Sequence, residues 1–539
     1  KGYLVCKETK NGVIDDLKIE GKTLVNLYQP KHFYPHSGGW NTIILKVDLL
    51  KTNTKYYYKI FNLPSGFKHV ITDENNVYLG DYTTSSFNTF TTINTITPTI
   101  TLHINNQAME ELTLEQLQGL QILILEGDHT QTPPSYFEGL MSVGEDVDKI
   151  EVLSRKEDGN LFDGYSLFDK STSTNVLFDG INLTVENTDS AGFKRVNTPQ
   201  IKLSPNTSYK LRYKATEITG MQTTKCYVVI REGSQKQTTS GVLIGASVAG
   251  ASGTGEKEIS FTSPSSGLIN ITFFSSYENA NATKNIFSEI TLSKQSNLLT
   301  NYTPHQSDKK QILFYNENGE LEPIQELHEW DSIEKHSDNK WYYHKRSGKV
   351  VLNGSETISL NANLTKENTM YFEVKNISNN ELVLCDRFMK LSSGSHDEEG
   401  ILGNKQYSNI SIRILKSKLS TQDVEGFKQW LQANNVTVVY QLAQEEVYEL
   451  APLHLDRYAN ETLILCNSGA ISPKMEFSIT SHINELVKSQ GDRISLLEEK
   501  MYKALKQVLA GDMYSLAELL YPEDFVSKEE PIDVPTLLI

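Results

Sequence analysis

The side chains of this sequence that are best suited to chemistry lie in an aromatic loop near the N-terminus. Tyr34 and Trp40 offer ring faces on which a sugar can stack, and His36 and two glycines lie between them, where backbone can approach a ligand. Tyr277, followed by Glu-Asn, is a weaker candidate of the same kind. These four residues predict a carbohydrate-binding surface. The alternative interpretation is that Trp40 packs inside a β-sandwich as an ordinary core residue.

Histidines and carboxylates suited to metal binding show no recognised ligand spacing. His32 and His36 flank an aromatic segment, and we expect them to lie in a polar loop rather than to bind a metal ion as a pair. Residues 145–148 and 397–399 carry the clustered carboxylates that Ca²⁺ prefers, without the spacing of a known calcium loop. We therefore predict solvated acidic turns and no metal or cofactor site, with a structural Ca²⁺ as the alternative.

Sequence signals of catalysis are sparse. The chain has no Gly-rich phosphate loop, no Gly-x-Ser-x-Gly elbow and no His-Glu-x-x-His motif. We predict no catalytic residue and no enzymatic activity. A polysaccharide depolymerase stays as an alternative, because the paired carboxylates of a glycosidase are defined by a through-space separation that a sequence does not contain.

The charge of the 539-residue chain is acidic, since 67 Asp and Glu outnumber 51 Lys and Arg for a formal net charge of −16. No basic patch with interleaved aromatic residues is present, so nucleic acid and anionic membrane surfaces are not expected partners. No apolar run approaches the ~20 residues needed to span a bilayer, and no membrane insertion is predicted. Because the chain begins with Lys1, we expect a fragment or processed product of a longer protein.

The four cysteines are far apart in the sequence, which argues against a disulfide framework and against a cysteine-based zinc site. Cys226, Cys385 and Cys466 lie in apolar, β-like runs, whereas Cys6 lies near the N-terminus. We expect buried, reduced thiols and synthesis in a reducing cytoplasm.

A short phrase recurs three times along the chain. Residues 50–56, 203–209 and 364–371 each contain a Leu, a short polar turn, Asn-Thr-x-Tyr and then a β-rich run, and the third copy has one extra residue. The copies are about 150–160 residues apart, the length of one domain. This period predicts an array of related modules. An Asn-Leu pair also recurs, at Asn26 and Asn160, at the start of the first two modules.

The predicted fold is mainly β, with tandem jelly-roll-like β-sandwich modules joined by short linker hairpins and followed by a C-terminal coiled-coil helix. The Asn-Gly turn at 11–12 predicts the first hairpin, and residues 346–349 predict a turn in the connector. We expect a linker hairpin at 1–23, module one at 24–145, a linker hairpin at 146–159, module two at 160–305, a β-rich connector at 306–350, module three at 351–480 with a helix near 421–434, the coiled-coil helix at 481–510, and a short helix and acidic tail at 511–539.

Two helices are predicted to come directly before a strand. The first begins at Thr113 and ends at Gly119, before the apolar residues 122–125. The second is capped by Thr-Gln-Asp at 421–423, carries Phe427, Trp430 and Leu431 on one face, and is followed by a strand at 436–440.

A heptad pattern distinguishes the C-terminal segment. Apolar residues, with a polar Gln at one d position, occupy the a and d positions over nearly four heptads. This pattern predicts self-association as a coiled coil, with a trimer preferred and a dimer as the alternative. The other interpretation is an amphipathic helix packed on module three. The predicted oligomerisation residues are Ile483, Val487, Gln490, Ile494, Leu497, Met501, Ala504 and Val508.

Several segments resemble tail and baseplate proteins of phages and prophages of Gram-positive bacteria. They are residues 138–145 (EGLMSVGE), 160–164 (NLFDG) and 412–419 (IRILKSKL), the last together with 438–443 (VVYQLA). The resemblance covers roughly residues 120–445 and extends to tail fibres, tail-associated proteins and receptor-binding proteins. It implies carbohydrate-binding-like modules and no catalytic residues.

The resemblance implies a virion protein that is made in the bacterial cytoplasm and acts outside the host cell. The expected partners are other copies of the chain in a homotrimer, other tail or baseplate proteins, and a host cell-wall polysaccharide or teichoic acid. The expected function is adhesion to host-wall carbohydrate. A purely architectural spacer without ligand binding is the first alternative, and the depolymerase is the second.

Overall fold

The computed structural model describes most of the chain up to residue 478. The described residues are 3–14, 16–28, 41–46, 50–73, 75–93, 99–106, 112–130, 133–163, 169–170, 174–188, 194–218, 228–233, 242–246, 254–276, 283–394, 397–478 and 501. The chain divides into two compact units at residues 477 and 478.

The N-terminal part of the chain is almost entirely β-structure. Its elements are β1 (Tyr3–Glu8), β2 (Gly12–Ile14), β3 (Asp16–Glu20), β4 (Thr23–Val25), β5 (Asn41–Lys46), β6 (Lys55–Phe61), β7 (Phe67–Thr72), β8 (Phe87–Thr91), β9 (Thr99–Asn106), α1 (Leu114–Gly119), β10 (Gln121–Glu126), β11 (Leu140–Ser142) and β12 (Glu151–Lys156).

The middle of the chain has no described α-helix. Its strands are β13 (Asp169–Lys170), β14 (Thr174–Phe178), β15 (Asn182–Asn187), β16 (Lys194–Asn197), β17 (Ile201–Lys202), β18 (Ser208–Ile218), β19 (Val228–Glu232), β20 (Leu243–Ala246), β21 (Gly255–Thr262), β22 (Leu268–Ser276) and β23 (Lys284–Lys294), followed by a 3-10 turn at Gln295–Asn297.

The last third of the described chain holds the second helix. Its elements are β24 (Ser307–Gln311), β25 (Leu313–Tyr315), β26 (Leu321–Pro323), β27 (Ser332–Lys335), β28 (Trp341–Leu352), β29 (Ile358–Leu360), β30 (Thr369–Lys375), β31 (Asn379–Cys385), β32 (Gly400–Asn404), β33 (Asn409–Leu415), a 3-10 turn (Lys416–Lys418), α2 (Val424–Ala433), β34 (Val436–Glu449), β35 (Leu455–Arg457), β36 (Asn460–Asn467) and β37 (Lys474–Ser478). The described chain is therefore mainly β, as predicted.

The first two sandwiches each contain two antiparallel sheets around one apolar core. In the first sandwich (residues 26–137), the sheets are β5-β9-β7 and β10-β6-β8, and successive strands alternate between them. In the second sandwich (residues 160–303), the sheets are β13-β16-β22-β19-β20, with β17 also on β22, and β14-β15-β23-β18-β21. Strands that alternate between two sheets are typical of jelly-roll-like sandwiches.

The third sandwich (residues 347–442) pairs the sheet β29-β30-β33-β32 with part of a six-stranded sheet, β31-β34-β28-β27-β3-β37. The long strands β28 and β34 run through it into the rest of that sheet, with a register shift between Lys345 and Ser347. The turn predicted at 346–349 is therefore absent, since these residues continue β28. The hairpin turn lies instead at residues 336–340.

A central body, here called the hub, is built from residues 3–25, 140–156, 305–346 and 443–478. Its sheet β1-β36-β12-β24 joins strands that are hundreds of residues apart, and β3 pairs with β27. One apolar core runs through all four segments and includes Ile14, Ile150, Ile333 and Ile464. The linker hairpins predicted at 1–23 and 146–159 are thus not formed: β1 and β2 pair with β36 and β35, and β12 lies between β36 and β24.

The first two sandwiches are closed by the same device. Each contains a buried asparagine whose Nδ2 donates to two backbone carbonyls. Asn26 donates to the carbonyls of Ile122 and Phe137, and Asn160 donates to those of Ile290 and Thr303. The Oδ1 of Asn26 accepts from the backbone amides of residues 28 and 124, and the Oδ1 of Asn160 accepts from those of residues 162 and 292. One side chain thereby joins the beginning, the last strand and the end of each sandwich. We call these two residues the closure asparagines.

The repeated phrase has the same hydrogen bonds in these two sandwiches. The hydroxyl of Tyr56 accepts from the amide of residue 51, as that of Tyr209 does from residue 204. Asn53 and Asn206 have left-handed backbone, with φ of 48° and 50°, and each tyrosine ring stacks on a phenylalanine 5.3 or 5.9 Å away. The third copy is different, because Asn368 instead donates to Asp397.

Both predicted helices are present. Thr113 caps α1 in a reciprocal capping box with Gln116, and Asp423 caps α2 by accepting from the amide of Gly426. Phe427 and Leu431 of α2 are fully buried. Among the described residues, no helix is both long enough and apolar enough to cross a membrane.

The predicted coiled coil lies outside the described residues except for one heptad position. Met501 is helical, and 70% of its surface is exposed. The coiled coil and the trimer therefore stay predictions.

Candidate functional site

The four predicted carbohydrate-binding residues, Tyr34, His36, Trp40 and Tyr277, lie outside the described residues. The sugar-binding surface that they define stays a prediction. Cys226 also lies outside, while Cys6, Cys385 and Cys466 are free thiols. Cys385 is buried, and its burial raises the pKa of its thiol to about 12, as expected for an unreactive core residue.

The described residues contain a cavity of about 490 Å³ at the surface of the hub, within the size range of small-molecule sites. It lies beside the turn that joins β27 to β28. The lining residues are Val13, Tyr315, Lys335, Asn339, Lys340, Trp341, Glu449, Leu450, Pro452 and His454.

The hairpin of β27 and β28 positions two different sets of side chains. Lys335 pairs with Trp341 across the hairpin, and both line the cavity. The turn is closed by a hydrogen bond from the amide of His336 to the carbonyl of Lys340, and its Asn339 has the positive φ of 66° that asparagine tolerates. Since side chains alternate along a strand, the neighbours of Lys335 and Trp341 project from the opposite face.

The aromatic residues of the cavity have different roles. Tyr315 exposes 38% of its surface, so its ring is accessible to a ligand, whereas Trp341 exposes 4% and forms part of the floor. Apolar contacts from Val13, Leu450 and Pro452 complete a surface against which a flat apolar face can pack.

The polar residues of the cavity are mostly basic. Lys335, Lys340 and His454 outnumber the one acidic residue, Glu449, although the chain as a whole is strongly acidic. The Lys340 ammonium lies 2.8 Å from the Glu449 carboxylate, and this hydrogen bond raises the pKa of Lys340. The cavity therefore combines donors for an anion with one carboxylate and one amide, from Asn339, for hydroxyl groups.

The opposite face of the same hairpin carries a cluster of two histidines and a glutamate. The Nε2 atoms of His336 and His344 are 2.9 Å apart, and Glu334 Oε1 lies 3.4 Å from His344 Nε2 and 3.9 Å from His336 Nε2. Three atoms at these separations can contact one metal ion. His344 is buried and His336 is exposed, so the cluster opens to solvent on one side.

A second carboxylate orients the buried histidine. Glu445 Oε2 lies 3.3 Å from His344 Nδ1 and 2.7 Å from Arg346 Nε. Burial alone would raise the pKa of Glu445, but the hydrogen bonds from His344 and Arg346 lower it. This cluster was not predicted from the sequence, because its residues are brought together by strand pairing and show no recognised ligand spacing.

The two acidic turns have partners within the protein. Asp146 accepts from the amide of Ala470, and Glu145 accepts from the amide of Ser142. In the other turn, the Thr369 hydroxyl donates to Asp397 and is the main cause that lowers the pKa of that carboxyl. These carboxylates are therefore held in internal hydrogen bonds, whereas the sequence predicts simple solvated turns.

Comparisons with known proteins provide no identity. No protein-family model and no curated protein matches the chain. Among solved structures it is similar to the adhesin domain of Epf from Streptococcus pyogenes, at 12% identity and a TM-score of 0.17, over 39% of this chain and 92% of that one.

Two further solved structures show the same low level of similarity. The ANX2 ectodomain from Arabidopsis thaliana is 10% identical, with a TM-score of 0.11 over 53% of this chain and 92% of that one. A triple-jelly-roll turret protein of an archaeal virus is 11% identical, with a TM-score of 0.10 over 85% and 92%. At such TM-scores no function is transferred from these proteins.

Proposed function

We propose that this chain is an adhesive structural protein that binds an anionic cell-wall carbohydrate through the cavity of the hub. The observation that carries the proposal is the cavity itself, which places an accessible aromatic ring beside basic and hydrogen-bonding side chains. Sugar rings present apolar faces that pack on aromatic rings, while their hydroxyl groups need donors and acceptors. Tyr315 supplies the ring, and Asn339 and Glu449 supply the polar contacts.

The charge of the lining favours a negatively charged glycan. Lys335, Lys340 and His454 line the cavity, and Glu449, the one acidic lining residue, pairs with Lys340. A polyol phosphate such as teichoic acid would place its phosphates near these groups and its apolar carbons against Tyr315. Because charge–charge attraction to exposed lysines is screened by salt, this binding should weaken as ionic strength rises.

The first experiment measures adsorption of the full chain to purified Gram-positive cell walls, before and after chemical removal of teichoic acid. We expect adsorption that falls when teichoic acid is removed. Tyr315→Ala should weaken it about 2- to 12-fold, the equivalent of one aromatic contact worth about 0.5–1.5 kcal/mol. Tyr407→Ala is the matched control, since Tyr407 is a 63% exposed tyrosine of the third sandwich, away from the cavity.

Two outcomes would contradict the cavity as the binding site. One is the absence of adsorption by the folded wild-type chain, and the other is equal adsorption by the Tyr315→Ala and Tyr407→Ala variants. Trp40→Ala, tested in parallel, asks whether the aromatic loop predicted from the sequence binds instead. Loss of adsorption in that variant alone would move the site to the loop.

The proposal places the chain in a phage or prophage tail as a homotrimer, alongside other tail or baseplate proteins. Its support is the sequence resemblance and the C-terminal heptads. Three chains in one particle would multiply weak sugar contacts, with an avidity gain of about 10²–10⁴. Light scattering tests this: the full chain should have three times the 60.8 kDa mass of one chain, and a chain ending at residue 478 should be monomeric.

A purely architectural role is the second candidate, and the closure asparagines favour it. Asn26 and Asn160 hold the two ends of each of these sandwiches together, and the hub has a continuous core, as a rigid spacer requires. Such a spacer would assemble into particles normally in the Tyr315→Ala variant, with unchanged adsorption to walls. A depolymerase would release reducing ends from host walls, and we expect this chain to release none.

A further inference from the structure

We propose that Glu334, His336 and His344 form a binding site for a divalent transition-metal ion, with zinc as the best fit. Two imidazole nitrogens and a carboxylate oxygen are a ligand set typical of protein zinc sites. Calcium and magnesium prefer sites built from oxygen atoms alone, so the two histidines argue against them.

The distances within the cluster suit a single small ion. The three ligand atoms form a triangle with sides of 2.9, 3.4 and 3.9 Å. The point equidistant from them lies about 2.0 Å from each, which is the length of a Zn–N or Zn–O bond. At this point the ion lies in the plane of its three ligand atoms. A tetrahedral ion needs ligand atoms about 3.3 Å apart, so the sides of 2.9 and 3.9 Å would each change by about half an ångström on binding.

The surroundings hold the buried histidine in the orientation that metal binding requires. His344 Nδ1 faces Glu445 Oε2 at 3.3 Å, which leaves Nε2 directed at the cluster. Carboxylate–histidine–metal arrangements of this kind fix the imidazole tautomer and increase the basicity of the ligand nitrogen. Arg346 holds Glu445 in place through a contact of 2.7 Å.

The exposed histidine is supported by packing. The His336 ring lies against the Tyr342 ring, with centroids 4.4 Å apart. Its backbone closes the hairpin turn with Lys340. Both contacts reduce the conformational freedom that His336 would lose on binding an ion.

Without a metal ion, the same geometry would be a hydrogen bond between two neutral imidazoles. That arrangement accounts for the 2.9 Å separation of the two Nε2 atoms and for the Glu445 contact of His344. It gives no role to Glu334 Oε1, whose distances to both nitrogens complete the triangle. Lys18 approaches the other oxygen of Glu334, at 3.8 Å, and leaves Oε1 directed at the histidines.

Three protein ligands leave one position of a tetrahedral ion for water or for an external ligand. The exposure of His336 gives that position access to solvent. Because Lys335 and Trp341 of the same hairpin line the cavity on its other face, a bound ion would also stabilise one wall of the cavity. The metal site does not depend on the proposed adhesive function.

The test is titration of the untagged, metal-free full chain with ZnCl₂ by isothermal calorimetry, followed by the visible spectrum with Co²⁺ in place of zinc. We expect one high-affinity ion at this site and the intense absorption of tetrahedral cobalt. His336→Gln, at an exposed position, should raise the dissociation constant at least about 100-fold. Glu445→Gln should raise it about 10- to 100-fold, the usual effect of losing an orienting carboxylate.

Glu446→Gln is the matched control, because Glu446 neighbours Glu445 on β34 but pairs with Lys345. It should bind zinc like the wild type, and circular dichroism should show all variants folded. Two results would overturn the proposal: no stoichiometric zinc binding by the wild type, or equal zinc binding by the wild type and the His336→Gln variant. The first would leave a hydrogen-bonded imidazole pair, and the second would locate the ion elsewhere.

Discussion

Single residues decide how the first two sandwiches close. The side chain of each closure asparagine makes four hydrogen bonds, and three of its four partners lie about a hundred or more residues away in the sequence. The recurrence of Asn-Leu at 26 and 160 was visible in the sequence. The hydrogen bonds of these asparagines were not visible in the sequence, because they depend on which strand and which chain end meet at the base of each sandwich.

Replacing Asn26 by Ala should destabilise the first sandwich severely. The change leaves two backbone amides and two carbonyls without their partner in a buried position, at about 1–3 kcal/mol for each group. We expect a loss of at least about 3 kcal/mol in the opening free energy of the 121–126 amides, measured by hydrogen exchange. Asn318→Ala, at an exposed turn, is the control. Equal exchange in the two variants would show that closure does not depend on Asn26.

His328 should make the stability of the hub depend on pH. Burial first, and then the charge of Lys349, lower the pKa of its ring to about 4 in the folded chain, below the ~6.5 of an unfolded histidine. Between these values the unfolded chain binds more protons, so the free energy of unfolding should fall by up to about 3 kcal/mol as pH drops from 6.5 to 4.

The measurement for His328 is urea unfolding of wild type and His328→Gln across that pH range. Other buried or half-buried histidines, among them His69, His129 and His305, also have lowered pKa values and act in the same direction. The relevant quantity is therefore the difference in unfolding free energy between the two proteins. His454→Gln, at an exposed histidine, serves as the control. Parallel pH profiles for all three proteins would exclude this role of His328.

At the scale of elements, local signals predicted helices well and hairpins poorly. The caps Thr113 and Asp423 located both helices, because capping is settled within one turn of backbone. The Asn-Gly turn at 11–12 did not produce a hairpin. Residues such as Ile14 and Leu17 belong to the hub core, and burying them there requires β1–β3 to pair with distant strands.

The same reasoning explains the hairpin of the connector. Ser347 and Gly348 look like a turn in the sequence, yet both lie within β28 and pair with β34. The true turn, at residues 336–340, brings the cavity residues and the Glu-His-His cluster to opposite faces of one hairpin. Neither group was recognisable from the sequence. The Glu-His-His cluster depends on the pairing of β27 with β28, and the cavity is completed by the end of β34 and the segment after it.

Helix α2 should contribute strongly to the stability of the third sandwich. Phe427 is fully buried and stacks on Phe372 of β30, with ring centroids 4.3 Å apart. Phe427→Ala should therefore lower the unfolding free energy of this sandwich by about 3–5 kcal/mol, through lost burial and the cavity left behind. Gln432→Ala, at an exposed position of the same helix, should change it by less than about 0.5 kcal/mol.

The contribution of α2 to stability is measured by urea unfolding, with hydrogen exchange of the β30 and β33 amides as the readout. These strands form the sheet against which the helix packs. An unfolding midpoint for Phe427→Ala that matches Gln432→Ala would show that α2 is peripheral to the core.

At the scale of the whole molecule, the first two sandwiches are insertions between paired strands of the hub. The first lies between β4 and β11, where Val25 pairs with Leu140. The second lies between β12 and β24, where Arg155 pairs with Ser307. A sequence read in order suggests modules on a string, because the pairing of the segments between modules appears only in three dimensions.

This arrangement predicts that the second sandwich can be removed without unfolding the hub. Paired strands are about 5 Å apart, so a short Gly-Ser linker replacing residues 160–303 spans the gap between them. Buried Glu157 would lose Lys294 but keep its 2.7 Å ion pair with Arg155. The shortened chain should therefore keep slow hydrogen exchange in β12 and β36.

Deleting residues 3–20 should abolish this slow exchange, because β36 then loses one neighbour and β27 loses β3. If the linker variant unfolds the hub as completely as that deletion, the sandwich is an integral part of the hub and not an insertion.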